Sequence, residues 1–216
     1  MIESRRFHIW GAGGHGKVVA DAIRCAGGEV VGYIDSNADK VGEVVDGCGG
    51  EVVLSQDDFE AMLERGERPA DWEAAIVAIG HNETRLAFTE RLEPEETPTV
   101  IHPSATIAQS ATIERGSFVS AKATINPGAR VGTGVIVNTG AIVEHDSVVG
   151  DGVHIAPHVA VCGVNRVGAL TLMGAGSSTI PCVEIGRECT IGAGAAVVED
   201  IPDGATAVGV PARVVD

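Results

Sequence analysis

Lysine, aromatic rings and paired cysteines are all scarce in this 216-residue chain, which has only three Lys (Lys17, Lys40, Lys122), two Trp, one Tyr and four Phe. With 15 Lys and Arg against 30 Asp and Glu, and a formal net charge of -15, it lacks the basic surface that a phosphate backbone requires. Nucleic acid is therefore excluded as a general partner. The acid-rich surface fits a salt-adapted host as well as any partner and carries no functional weight. The five Cys (Cys25, Cys48, Cys162, Cys182, Cys189) are odd in number and contain no Cys-x-x-Cys pair, so neither a complete disulfide framework nor a zinc ribbon is expected. No apolar run is long enough to span a bilayer and no signal-peptide pattern is present, which predicts no membrane association and a reducing cytoplasm.

What the chain has is glycine, 29 residues of it, and a period. From Ile101 to Val197 an aliphatic residue recurs every sixth position, interrupted only by Thr179, where Met173 is the other unusual choice. A period of six is neither helical nor that of a flat strand. It belongs to the parallel β-helix, in which each hexad forms one side of a triangular coil and three hexads, eighteen residues, close one turn. Two places before most aliphatics stands a small residue (Ala105, Ala111, Ser117, Ala123, Ala129, Ala141, Ser147), as an inward corner requires. The expected interior is a narrow aliphatic stack.

The first hundred residues read differently. A strand at Phe7–Trp10 runs into Gly11-Ala12-Gly13-Gly14-His15-Gly16, then a helix from Lys17 to about Ala26, then a strand Val30–Ile34 with Asp35 at its carboxyl end. Further strands are expected near Glu51–Leu54 and Ala74–Ile79, with helices from about Asp57 (capped by Ser55) and Glu83. Alternating β and α implies a small parallel sheet, here a Rossmann-like half domain. Pro94, Pro98 and Pro103 mark the passage into the hexads. The expected domains are an α/β unit over 1–98 and an all-β parallel β-helix over 99–216. The Gly-rich turn satisfies G-x-G-x-x-G in its proper context, where backbone N–H groups and a helix N-terminus approach a diphosphate. About a hundred residues suffice for one mononucleotide-binding half but are tight for the paired halves of a dinucleotide fold, so a nucleotide diphosphate of some kind is expected ahead of NAD, with Asp35 positioned to accept from base or ribose.

Within the hexads, Asn138 to Asp146 is the polar patch. Residues eighteen apart stack at about the 4.8 Å spacing of neighbouring strands, so His145 should lie over Gly163, while His154, half a coil away, lies on a different side. Glu144 and Asp146 flank His145, and a carboxylate beside an imidazole fixes its tautomer and suits it to general-base work. The residues alone do not say which carboxylate reaches the ring. Gly163 offers an unencumbered N–H to a developing oxyanion. Three histidines (His145, His154, His158) on a β-helix also allow a zinc site like that of γ-class carbonic anhydrases, but acidic neighbours suit a base better than a neutral ligand, and no metal is expected.

Gly11 to Lys17, Tyr33-Ile34-Asp35, Ala78-Ile79-Gly80-His81-Asn82, Ile101-His102-Pro103, Asn138-Thr139-Gly140, Glu144-His145-Asp146 and Gly209-Val210-Pro211-Ala212 occur in this order. With them the chain resembles, over residues 6 to 214, the bacterial nucleotide-sugar N-acetyltransferases that use acetyl-CoA. Sialic acid O-acetyltransferases share much of the pattern. The resemblance implies a left-handed β-helix and a homotrimer with sites between subunits. It further implies a nucleotide-linked 4-amino sugar bound by Gly13, Gly14, His15, Asp35, Ser36, Gly80 and Asn138, and acetyl-CoA held by His154, Gly163, Ala175 and Ala193. His145 would be the base and Asp146 the acid that tunes it. Arg166, Arg187 and Arg213 are candidates for the CoA phosphates. Three departures stand out: Gly163-Val164-Asn165-Arg166 puts Asn165 at an inward corner, Met173 and Thr179 are expected to loosen one coil, and Ser36 replaces a frequent second acid. Besides O-acetylation of a sialic acid, a catalytically silent nucleotide-sugar-binding trimer is the remaining alternative.

Overall fold

The computed structural model describes residues 2, 4–45, 47 and 49–215; Cys48 lies outside them. Four short parallel strands, β1 (Arg6–Trp10), β2 (Glu29–Asp35), β3 (Val52–Ser55) and β4 (Ala74–Val77), form a sheet in the order β3-β2-β1-β4. The run Phe-His-Ile-Trp of the central strand β1 is buried throughout, as a strand covered on both faces of a parallel sheet must be, and Ala-Ala-Ile-Val of the edge strand β4 is buried as well. Helix α1 (Gly14–Cys25) follows β1, α2 (Gln56–Glu64) follows β3 and α3 (Asn82–Glu90) follows β4. Ser55 caps α2 as expected, accepting from the Asp58 N–H. Helix α1 starts three residues before the expected Lys17: Gly13, in extended conformation, is its N-cap, and the Gly-rich turn supplies the first helical turn itself. Among the described residues, no side chain caps it. Its first N–H groups are thus left to whatever enters the cleft above the sheet.

From Val100 onward the chain is the solenoid. Two-residue strands stack in three parallel sheets, one per side, and the register advances eighteen residues per coil, as in Arg130↔Val148↔Arg166 and Ile136↔His154↔Leu172. The periodic residues from Val119 to Val197 are all buried. The final coil is two residues shorter, pairing Thr190 with Thr206, and an antiparallel pair, Thr206–Val208 with Arg213–Val215, closes the stack.

The outward residues of the first side, Val100, Phe118, Ile136, His154 and Leu172, are more apolar than those of the second (Thr106, Thr124, Ile142, Ala160, Ser178) or third (Thr112, Arg130, Val148, Arg166, Glu184). The α/β unit covers this side. Val100, Phe118 and Ile136 share a core with Phe7, Ile9, Ala20 and Ile23. Burying Phe118 and Ile136 there contributes about 3 to 6 kcal/mol gross. Helix α3 lies along the neighbouring corner, over Gly116, Gly134 and Gly152, stacked eighteen apart with φ near +65°. A Cβ on Gly116 would stand 2.4 Å from Thr89 Cγ2, and one on Gly152 3.2 Å from Leu86 Cβ, so glycine both makes this corner and admits the helix.

Two departures from the hexad pattern prove to be partners. Thr179 does not loosen its coil: its Oγ1 accepts from the Cys162 N–H at 2.9 Å and from Asn165 Nδ2, while Asn165 Oδ1 accepts from the Val183 N–H at 2.6 Å. Met173 fills its place with no exposure. The inward Ser117 and Ser147 likewise take the N–H eighteen residues on, from Val135 and Asn165.

Candidate active site

The loops after β1 and β4 splay apart at the carboxyl end of the sheet, where an open α/β sheet takes its ligands. They bound a cleft of about 450 Å³ lined by Gly13, Gly14, His15, Asp35, Ser36 and Gly80, with Gln56 and Thr84 on its wall. A Cβ added to Gly13, Gly14 or Gly80 meets nothing within 4 Å, whereas one on Gly16 would sit 2.1 Å from the Gly11 carbonyl oxygen. Gly16 is thus required for packing, and the other three face open space. Asp35 is turned inward: Oδ2 accepts from the Ala12 N–H at 3.0 Å, and Oδ1 from the Asn37 N–H at 3.0 Å and Lys40 Nζ at 3.2 Å. Burial alone would raise its pKa, but those N–H groups and Lys40 outweigh it and hold the carboxylate below its ordinary value. It shapes the loop while lining the cleft.

His15 reaches from this loop to the β-helix, edge-on to Phe118 at 5.4 Å, with Nε2 buried and, among the described residues, unpartnered. His154 is on the first side of the solenoid and near enough to His15 to affect its charge. Its Nε2 lies 3.2 Å from Asn138 Nδ2, and Asn138 Oδ1 accepts from the Thr139 N–H at 2.8 Å. The Asn138 amide is thereby held at both ends. Burial lowers the pKa of His15 and His154 to about 4 each; His154 and Arg85 add to the effect at His15, and Arg85 at His154. Both rings are neutral above pH 5 or so. A second cleft of about 380 Å³, sharing Gly80 with the first, runs on past His154 to Leu172 and Thr190.

His145 is elsewhere. It occupies the corner between the second and third sides, exposed, with Nδ1 2.9 Å from Asp146 Oδ2. Of the two flanking carboxylates it is Asp146 that holds the ring, while Glu144 accepts from the His145 backbone N–H at 3.3 Å. A carboxylate can only accept, so the proton resides on Nδ1 and the Nε2 lone pair faces outward. Asp146 adopts φ +60° and stacks on Gly128 of the coil before, while the His145 ring lies on Gly163 of the coil after. A Cβ on Gly163 would come 2.6 Å from His145 Nε2. The Gly163 N–H makes no hydrogen bond among the described residues.

Ala175 and Ala193 are exposed and stack at the corner between the first and second sides, which also carries Asn138. One chain therefore gathers Gly13, Gly14, His15, Asp35, Ser36, Gly80, Asn138 and His154 along one seam, and leaves His145, Asp146 and Gly163 at a different corner. His145, His154 and His158 do not bring their ring nitrogens together within 4.8 Å. Among the phosphate candidates, Arg187 pairs with Asp203 and Arg213 with Glu199, while Arg166 is exposed. Sequence reasoning passed over Arg85, which is fully buried at the seam. Its signal was faint: a lone Arg on a short helix, one residue before the Leu86 that packs on the glycine corner.

A three-sided β-helix bearing an imidazole–carboxylate pair, fronted by an α/β unit with an uncapped Gly-rich helix start, is the build of a hexapeptide-type acyltransferase. Comparison with known proteins narrows this. Residues 6–92 match the PglD N-terminal domain family. The acetyltransferase domain of PglB from Neisseria gonorrhoeae is 36% identical, with 98% of this chain and 100% of that one covered and a TM-score of 0.87. A histidine-to-asparagine variant of perosamine N-acetyltransferase from Caulobacter crescentus, in complex with CoA and GDP-perosamine, is 34% identical over 97% of this chain and 96% of that one, with a TM-score of 0.86. WeeI from Acinetobacter baumannii, at 24% identity over 97% of this chain and 99% of that one, shares the fold with a TM-score of 0.70. A sequence comparison with curated proteins finds no match. The chain belongs to the hexapeptide-type nucleotide-sugar N-acetyltransferase family.

Proposed function

We propose that the protein transfers the acetyl group of acetyl-CoA to the 4-amino group of a nucleotide-linked 4-amino-4,6-dideoxy sugar, as a cytoplasmic homotrimer. The observation that carries this reading is the His145–Asp146 pair at 2.9 Å beside the unbonded Gly163 N–H. Nε2 of His145 takes a proton from the amine as its nitrogen attacks the thioester carbonyl, and the Nδ1–H to Asp146 bond stabilises the imidazolium so formed. The Gly163 N–H donates to the oxygen that becomes negative in the tetrahedral intermediate. Collapse expels the CoA sulfur, which takes the proton back from His145. The related perosamine N-acetyltransferase was seen with CoA and GDP-perosamine bound, which supports both substrates.

The diphosphate lies at the start of α1 against Gly13 and Gly14, with Ser36 and Gly80 closing the cleft, and Asn138 orients the sugar. The trimer answers the separation of the two corners: the corner of one subunit carrying Asn138, Ala175 and Ala193 faces its neighbour's His145 and Gly163, and acetyl-CoA runs down that groove. The decisive experiment offers UDP-, GDP- and dTDP-linked 4-amino sugars with acetyl-CoA and measures thiol release. Acetylation of at least one at the amine is expected; inertness toward all of them, or acetylation of sialic acid instead, refutes the proposal.

A further inference from the structure

We propose that Arg85 is the positioning residue of this site: its guanidinium ties the loop 79–82, one wall of the nucleotide cleft, to the β-helix corners at Gly134 and Gly152, and so holds the cleft in register with Asn138 and His154. This rests on the nucleotide-sugar reading of that cleft. Arg85 is 1% exposed, and a buried Arg ordinarily faces a carboxylate. Among the described residues, this one bonds none. Nε donates to the Gly134 carbonyl at 2.7 Å, and Nη1 to those of Ile79 and Gly80 at 3.0 and 3.2 Å. Nη2 donates to Asn82 Oδ1 at 2.8 Å, to the Gly152 carbonyl at 2.6 Å and, more weakly, to that of Val153 at 3.4 Å. All five N–H groups are consumed, three by the α/β unit's own loop and two by the solenoid, so none is left for a ligand. Asn82 adds a second tie, Nδ2 donating to the Leu170 carbonyl at 2.8 Å.

Only a planar fork spans these acceptors; Lys offers three donors from one point. The geometry has an electrostatic corollary. The unneutralised charge faces His154 and, beyond it, His15, and so helps keep both neutral, as the Asn138 Nδ2 to His154 Nε2 contact demands. The other titratable groups that share the second cleft with His154 are His81, Glu83, Glu188 and Cys189. None is hydrogen-bonded to it.

The test compares Arg85→Lys and Arg85→Gln with Arg115→Gln in the full-length enzyme. Arg115 fastens the far end of α3, donating to the Thr89 and Leu92 carbonyls at 3.1 and 3.0 Å, away from the cleft. Both Arg85 variants are expected to raise KM for the nucleotide sugar about tenfold or more while KM for acetyl-CoA stays within twofold. When the imidazole ring protons are titrated by NMR, the pKa values of His154 and His15 should move up from about 4, more in Gln than in Lys. Arg115→Gln should lower Tm and leave both KM values alone. If the Arg85 variants lose only Tm, as Arg115→Gln does, Arg85 is a structural weld and the proposal fails. Should neither Arg85 variant fold, Asn82→Ala decides: a selective rise in nucleotide-sugar KM sustains the proposal and an unchanged KM overturns it. A wild-type enzyme inert toward every nucleotide amino sugar refutes the functional reading instead, before any variant is made.

Discussion

The sharpest test of the His145 geometry is a single methyl group placed beneath it. Gly163 is not in the left-handed region, so Gly163→Ala is free of backbone strain. The new Cβ would, however, stand 2.6 Å from His145 Nε2, 2.8 Å from Cε1 and 3.2 Å from Cδ2. Comfortable contact needs about 3.5 Å, so the ring must retreat by about 1 Å. It can do so cheaply, because the side chain is 57% exposed and swings outward. The fold should lose little, with Tm nearly unchanged.

Catalysis should not be so tolerant. A retreat of about 1 Å lengthens the 2.9 Å bond from Nδ1 to Asp146 beyond hydrogen-bonding range and turns Nε2 away from the amine. Misplacement on that scale costs on the order of 100-fold in turnover. The assay is steady-state acetyl transfer with both KM values, in Gly163→Ala, His145→Ala and the double variant. If the methyl acts through the ring alone, the double variant is no worse than His145→Ala. Turnover of Gly163→Ala within threefold of wild type would falsify the arrangement. A double variant well below His145→Ala would show that the methyl obstructs a substrate instead.

The remaining predictions are shorter. His145→Ala should lower turnover at least about 100-fold, in line with general-base contributions of about 10² to 10⁴, while nucleotide-sugar affinity measured by calorimetry stays near wild type; near-normal turnover removes His145 from the mechanism. Thr179→Val leaves the Cys162 N–H and Asn165 Nδ2 without an acceptor and should cost about 2 to 5 kcal/mol in urea unfolding, with Asn165→Val/Thr179→Val at least about 1 kcal/mol less destabilised than the sum of the single changes; additivity sinks the pairing. His8, His15 and His154 have pKa values lowered from 6.5 to about 4, so the unfolded chain takes up protons through pH 6.5 that the native chain refuses until about pH 4. Stability should therefore fall as pH drops across that window, by at most about 4 kcal/mol per pH unit for three protons, and a Tm unchanged between pH 7 and 5 would contradict it.

How much of this was legible in the sequence depended on whether a residue's neighbours could be counted along the chain. The hexad period fixed the coil at eighteen residues, so the stacking of His145 on Gly163 followed from arithmetic, and the structure bears it out. Counting did not say which acid held the ring, because Glu144 and Asp146 are both adjacent; the corner decided it by putting Asp146 in the left-handed conformation over Gly128. Nor did counting show what holds Asp35, since the Ala12 and Asn37 N–H groups that close on the strand-end carboxylate come from loops whose path the period does not set. The docking of the α/β unit was missed although its signal was present. Sorting outward residues by coil phase separates Val100, Phe118, Ile136 and Leu172 from the polar sides, and the same phase stacks Gly116, Gly134 and Gly152 beneath α3. Asn165 and Thr179 were each read as a defect because they are fourteen residues apart, a separation no single column contains. Across a narrow triangular interior, side chains from different sides converge on one axis. A polar residue admitted at one inward position therefore demands its partner at another, and a period-breaking pair in such a solenoid is better read as one substitution than as two.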